Sequence, residues 1–255
     1  MNNIYFANFK MNLTFAEIEA YVKSLKNLID LNSNHIGLFV PFTALKQTKD
    51  ILNGLSILTG AQNVHQEEAG AFTGEINAQM LKECGTDIAI VGHSERRKYF
   101  KEKDYEINKK IKQLMKYNIK VVLCIGETKE ERTSGNTKKV IYTQLREALA
   151  GLYENELDNM IIAYEPVWAI GTGENATNKM IEEVSQIIRQ TIKDLYNTTI
   201  ADKFPVIYGG SVTVKNIKIL SKIKNINGFL IGGASLNYNT FAEIINEKTK
   251  KTAGV

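Results

Sequence analysis

Glu165 directly follows the apolar run Met160-Ile161-Ile162-Ala163-Tyr164 and precedes Pro166, within the segment Ala163 to Gly173, AYEPVWAIGTG. The run has strand length and Pro166 cannot continue a strand interior, so this carboxylate belongs where a strand ends. Behind it, Val167-Trp168-Ala169-Ile170 and Gly171-Thr172-Gly173 make a loop that is apolar and glycine-rich at once. Ordinary turns are polar; this one suits a lid that folds over a ligand and sheds water from it. A strand-end carboxylate under such a lid can have its pKa raised and act as a general base. The alternative is a salt-bridged structural glutamate. His93 follows another apolar run and opens a helix, so backbone N–H groups point at its ring and keep the imidazole neutral, able to donate to a carbonyl oxygen. The alternative is a satisfied core histidine. Lys10 offers positive charge to an anionic substrate or a developing enolate, or else is solvated surface.

The elements that must position these groups are legible as alternating strand-like and helical stretches. The apolar runs are Ile4–Phe9, Ile36–Val40, Ser56–Ala61, Ile88–Val91, Val121–Ile125, Met160–Tyr164, Val206–Tyr208 and Phe229–Ile231. Several are apolar throughout, as strands buried on both faces of a parallel sheet are. Thr14-Phe15-Ala16-Glu17 predicts a capping box opening a helix to about Leu31. From Thr177 to Tyr196, Ile181, Val184, Ile188, Ile192 and Leu195 share one helical face. Eight such alternations predict an α/β fold, a single (β/α)8 barrel over residues 1–255, since that fold takes about 250 residues. An open doubly wound sheet is the rival architecture. The longest non-helical connection, Asn63 to Gly74, has the length of a functional loop.

Polar residues follow nearly every run. Asn8 and Lys10 follow the first, Gln62 and Asn63 the third, and His93, Ser94 and Glu95 the fourth. Glu127 follows the fifth and Glu165 the sixth. Gly209-Gly210-Ser211 and Gly232-Gly233 follow the last two. Pro41-Phe42 after the second is the apolar exception. In a barrel these exits converge at the C-terminal face, where active sites of this fold lie. The two glycine-rich turns read as tight strand-to-helix connections or as a phosphate site built from backbone N–H groups; their occurrence after strands seven and eight favours phosphate.

Composition narrows the partners. The net charge is +4, from 32 basic and 28 acidic residues, too mild an excess to invoke nucleic acid or membrane. The apolar runs are strand-sized, and Met1-Asn2-Asn3-Ile4 has no charged region followed by an apolar one, so neither a membrane span nor a secretory signal is expected. Cys84 and Cys124 read as two lone thiols in a reducing cytoplasm. Gly171-Thr172-Gly173-Glu174-Asn175-Ala176 fits the dinucleotide pattern formally but stands six residues beyond its strand. Gly92-His93-Ser94-Glu95-Arg96 lacks the final glycine of a nucleophile elbow. His35, His65 and His93 have no metal-ligand spacing, and no P-loop is present.

Together AYEPVWAIGTG, VGHSERR (Val91 to Arg97), CIGET (Cys124 to Thr128), YGGSV (Tyr208 to Val212) and GFLIGGASL (Gly228 to Leu236) resemble the triosephosphate isomerase family. ANFKMN (Ala7 to Asn12), GAQN (Gly60 to Asn63) and GAFTGE (Gly70 to Glu75) fit it too, in order along essentially the whole chain. The resemblance implies interconversion of dihydroxyacetone phosphate and D-glyceraldehyde 3-phosphate in glycolysis and gluconeogenesis, without a cofactor. It implies Glu165 as the base and His93 as the neutral electrophile. Lys10 and Asn8 would lie near the substrate's carbonyl oxygens. Gly171, Ser211, Gly232 and Gly233 would surround the phosphate. Ser94 and Glu95 would support these groups, and Cys124 would pack behind them. It further implies a homodimer formed through the loop Gly70 to Glu75, with Thr73 at its tip. Three positions depart from the family's usual pattern: Phe9 where tryptophan is common, Glu174-Asn175-Ala176 where Lys-Thr-Ala is frequent, and Val214 where proline is common. None removes a chemical group from the site. Another phosphate-binding barrel acting on a larger sugar or indole phosphate, and a non-catalytic binding protein on the same scaffold, are the rival readings.

Overall fold

The computed structural model describes residues 3–31, 34–169 and 176–249. Eight strands, β1 (Asn3–Asn8), β2 (Asn34–Val40), β3 (Ile57–Ala61), β4 (Ile88–Val91), β5 (Lys120–Ile125), β6 (Met160–Tyr164), β7 (Val206–Tyr208) and β8 (Gly228–Ile231), form a closed barrel in sequence order. Each is parallel to its neighbour, and β8 pairs with β1 through Tyr5↔Phe229 and Ala7↔Ile231. The closed barrel, not the open sheet, is the architecture. Around it run α1 (Phe15–Leu25), α2 (Leu45–Ile51), α3 (Ala78–Glu83), α4 (Ser94–Tyr99), α5 (Asp104–Lys116) and α6 (Lys129–Thr133). They are followed by α7 (Thr137–Ala148), α8 (Asn178–Leu195), α9 (Thr198–Lys203), α10 (Val214–Leu220) and α11 (Tyr238–Thr249).

Two apolar layers hold this together. One fills the space between strands and helices; in it Ile181, Val184, Ile188 and Ile192 of α8 are buried as their spacing predicts. The other is the barrel interior, where Ile4, Phe6, Phe39, Ile90, Val122, Cys124, Ala163, Ile207 and Leu230 pack on each other. Side chains alternate across a strand, so each inward series continues into the strand's exit. Ile4 and Phe6 lead to Asn8, Ala163 leads to Glu165, Ile207 to Gly209 and Leu230 to Gly232. The residues above the apolar plug are therefore fixed by the same period that builds it.

Element bounds differ from expectation in places. The first helix stops at Leu25, not near Leu31. The Asn27 side-chain amide donates to the Lys23 carbonyl, while the Asn27 backbone N–H turns to Ser24. Asparagine thus takes the acceptor that the next helical N–H would have used. At the start of the same helix the Glu17 carboxylate accepts from the Thr14 N–H at 2.7 Å, the reach-back of a capping box. Strand β1 ends at Asn8, and Phe9 is buried against Tyr21 instead. Cys84 is half-buried, Cys124 buried, and both are free thiols. Among the described residues no helix is long and apolar enough to cross a membrane.

Candidate functional site

The exits of β1, β4, β6, β7 and β8 meet around one cavity of about 590 Å³ at the C-terminal face of the barrel. Asn8, Lys10, His93, Glu95, Glu165, Ser211, Gly232 and Gly233 all line it, whereas Gln62, Asn63, Ser94 and Glu127, which also follow strands, do not. Gly171 and the expected far hinge at Glu174 and Asn175 lie outside the described residues.

Glu165 is buried, and both its oxygens are engaged. Oε2 accepts the Ser94 backbone N–H at 2.9 Å, and Oε1 lies 3.1 Å from His93 Nε2. This approach of β6 to the β4 exit passes over β5, and Gly126 makes it possible. A Cβ at Gly126 would sit 1.7 Å from the Glu165 carbonyl oxygen. Burial works to raise the Glu165 pKa, but His93, the Ser94 N–H and Lys10 together outweigh it and hold the carboxyl below its usual range. This corrects the expectation of a raised value: the neighbours of the carboxylate decide the sign, not its burial. Beneath it the Cys124 thiol is pushed well above its ordinary range by burial and by Glu165, so it packs as a neutral group.

His93 caps α4. Its Nδ1 accepts the Glu95 backbone N–H at 3.2 Å, which leaves Nε2 to carry the ring proton and donate to Glu165. This is the helix-start geometry expected for a neutral imidazole. Burial pushes the His93 pKa down, yet the Glu165 carboxylate, with Glu95, raises the net value, which corrects the expectation that the helix start alone keeps the ring neutral. Gly92 at φ +69 turns the chain from β4 into this cap, a conformation that suits glycine.

Lys10 itself has φ +53 and is pinned at both ends. Its N–H donates to Asn8 Oδ1 at 3.1 Å, and its carbonyl accepts from Gln62 Nε2 at 2.9 Å. Its ammonium pairs with Glu95 at 2.6 Å. Lys10 is therefore not free surface, and Glu95 is the carboxylate that holds it beside the cavity. At β8, a single 3-10 turn over Gly233–Ser235 follows the strand, with Ser235 Oγ donating back to the Ile231 carbonyl.

Some participants escaped the sequence reading. Glu127, noted only as polar, is fully buried, and its Oε1 accepts from Tyr164 Oη, Trp168 Nε1 and Arg132. It thereby ties the near end of the Pro166–Ala169 segment to the barrel. Arg97 donates to the Gly92 and Cys124 carbonyls, bracing the β4 and β5 exits. Lys98 and Tyr99 also line the cavity; their position three and four residues after Glu95 on one helix was the available signal.

The sequence model of the triosephosphate isomerase family matches residues 3–248. A triosephosphate isomerase of Protochlamydia amoebophila is 43% identical over 240 residues, 94% of this chain and 91% of the relative. One of Carboxydothermus hydrogenoformans is 45% identical, over 93% of this chain and 95% of the relative. Among solved structures, the triosephosphate isomerase of Bartonella henselae superposes with a TM-score of 0.89 at 34% identity, covering 98% of this chain and 100% of that one. By sequence and by fold, over nearly its whole length, the chain belongs to the triosephosphate isomerase family.

Proposed function

We propose that Glu165 is the base, and His93 and Lys10 the electrophilic partners, of the interconversion of dihydroxyacetone phosphate and D-glyceraldehyde 3-phosphate that membership of this family assigns to the chain. The observation that carries the assignment of roles is the meeting of Glu165, His93 and Lys10 with Ser211, Gly232 and Gly233 around one cavity. A carboxylate, a neutral N–H donor and a cation are what proton transfer next to a carbonyl requires. Glu165 removes a proton from the carbon beside the carbonyl, and the electron pair moves onto the carbonyl oxygen. A proton passes from the hydroxyl oxygen on that carbon to the former carbonyl oxygen, and Glu165 returns its proton to the former carbonyl carbon as the new carbonyl forms on the first. His93 Nε2–H donates to the oxygens on which charge develops, Lys10 supplies positive charge there, and Asn8, whose Oδ1 accepts the Lys10 backbone N–H, lies near the same oxygens. The phosphate lies against Ser211, Gly232 and Gly233.

Both Glu165 oxygens are occupied in this structure, so the carboxylate must exchange Ser94 and His93 for substrate. Its departure also removes what raises the His93 pKa most, leaving burial and Lys10, which favour the neutral ring, against Glu95. Glu165→Gln lowers kcat by ~100-fold or more, since a positioned base contributes about 10²–10⁴. Near wild-type turnover in a coupled assay would sink the assignment of the base.

The chain works in the cytoplasm as a homodimer in this reading. Met11 is 96% exposed beside the site, and Tyr99 and Phe100 are 66% and 67% exposed. The loop Gly70 to Glu75 carries the exposed Phe72. Apolar groups on both features are what a shared interface would cover.

A further inference from the structure

We propose that Gln144 of α7 is a positioning residue for Glu165, acting through the backbone of Gly126. This role rests on the isomerase reading above, and Gln144 itself touches no substrate. Strand β5 pairs with β4 only as far as Leu123, opposite Val91. Beyond that point β4 turns away at Gly92, while the β6 exit runs on beside the β5 exit. There the Glu165 N–H donates to the Ile125 carbonyl at 2.8 Å, and the Val167 N–H to the Glu127 carbonyl at 3.2 Å. Residues 125 and 127 thus face β6, and Cys124 and Gly126 face the side that β4 has left. Buried backbone groups on that side need other partners. Arg97 takes the Cys124 carbonyl at 3.1 Å. Gln144 takes both polar groups of Gly126, its Oε1 accepting the N–H at 2.9 Å and its Nε2 donating to the carbonyl at 3.1 Å. One side-chain amide does what a residue of the missing strand would do. Gly126 is also the floor on which the Glu165 backbone rests, with no room for a Cβ between them. A shift of the chain at Gly126 therefore carries the base with it.

Gln144 is half-buried and lines a separate surface cavity with Asp104, Glu131 and Lys139. Water can reach Gly126 from that side once the amide is gone, so variants fold but hold the base less firmly. Gln144→Met, of similar length and without either hydrogen bond, lowers kcat about 10-fold, since a misplacement of about 1 Å costs up to about 100-fold. KM is unchanged, because the contacts to phosphate at Ser211, Gly232 and Gly233 are untouched. Gln144→Glu keeps an acceptor for the Gly126 N–H but sets a carboxylate against the Gly126 carbonyl, and lowers kcat at least as much. Turnover of D-glyceraldehyde 3-phosphate by the wild type, in the same coupled assay, tests the isomerase reading separately. The deciding measurement is a double-variant cycle. In a Glu165→Gln background Gln144→Met causes no further loss, because no base remains to be misplaced. A merely structural glutamine would lower turnover by the same factor in both backgrounds. Wild-type kcat in both single variants overturns the proposal. So does a loss carried by KM, or one repeated in full in the Glu165→Gln background.

Discussion

Glu165 and His93 are buried side chains on which burial is the largest single influence, outweighed by the charged and hydrogen-bonding neighbours taken together. Burial acts on both in the direction of the neutral form; His93, the Ser94 N–H and Lys10 together outweigh it at Glu165, and the Glu165 and Glu95 carboxylates outweigh it at His93. The sign of a pH effect follows. Glu165 holds its negative charge below the usual carboxylate range, so the base is present across neutral pH and is lost only as the pH falls through that lowered value. Replacing His93 removes the strongest influence that lowers the Glu165 pKa and leaves burial dominant. In His93→Gln the acid limb of the residual kcat/KM against pH moves to higher pH; that profile reports the ionisation of the free enzyme. A limb that stays in place, or moves down, would mean that Ser94 and Lys10 alone control the carboxylate.

The elements that carry these residues are braced by a buried ionic cluster between α4 and α5. Glu102 accepts from Arg96 Nε at 3.0 Å and pairs with Lys110, whose ammonium also donates to Asn63 Oδ1 at 2.8 Å. The cluster joins the β3 exit to both helices. Lys110→Met deprives the Glu102 carboxylate of its buried partner and destabilises the fold by about 3 kcal/mol or more. The double variant Glu102→Leu/Lys110→Met recovers most of that loss, because the remaining charge of the cluster, Arg96, is partly exposed and reaches water. Urea unfolding at one protein concentration measures both, and equal losses in single and double variants would contradict the argument. Burial opposes the Glu102 charge, but Lys110 and Arg96 hold the carboxyl below its usual range. Its contribution is therefore full at neutral pH and fades as the pH falls through the folded value. The strands themselves were legible in the sequence. The runs Ile88–Val91, Met160–Tyr164 and Val206–Tyr208 match β4, β6 and β7 residue for residue, because continuous apolar runs bounded by polar exits admit little else. The end of α1 was not legible, since it depends on one side-chain hydrogen bond at Asn27. Nor were the contacts of Glu165 with Ser94, 71 residues away in sequence, or the gathering of three donors on Glu127. Those arise only when barrel closure brings separate exits together.

For the whole molecule, the proposed dimer makes a prediction of its own. Phe100→Asp sets a charge in the apolar patch beside Tyr99 and shifts the protein to monomer in sedimentation equilibrium at micromolar concentration, since an unpaired carboxylate is costly to desolvate. A dimer of unchanged affinity, or a wild type that sediments as monomer, would refute the proposed interface. The packed interior of the barrel has a different consequence. Below the cavity Phe6, Phe39, Ile90 and Leu230 close the lumen with side chains, so nothing crosses from one end of the barrel to the other. Reactant and product share a single doorway. Each turnover must clear it before the next can begin, and the two trioses compete for it on equal terms from outside. The direction of net flux is then set by their concentrations in the surrounding solution relative to the equilibrium ratio, with no part of the described architecture acting as a one-way valve.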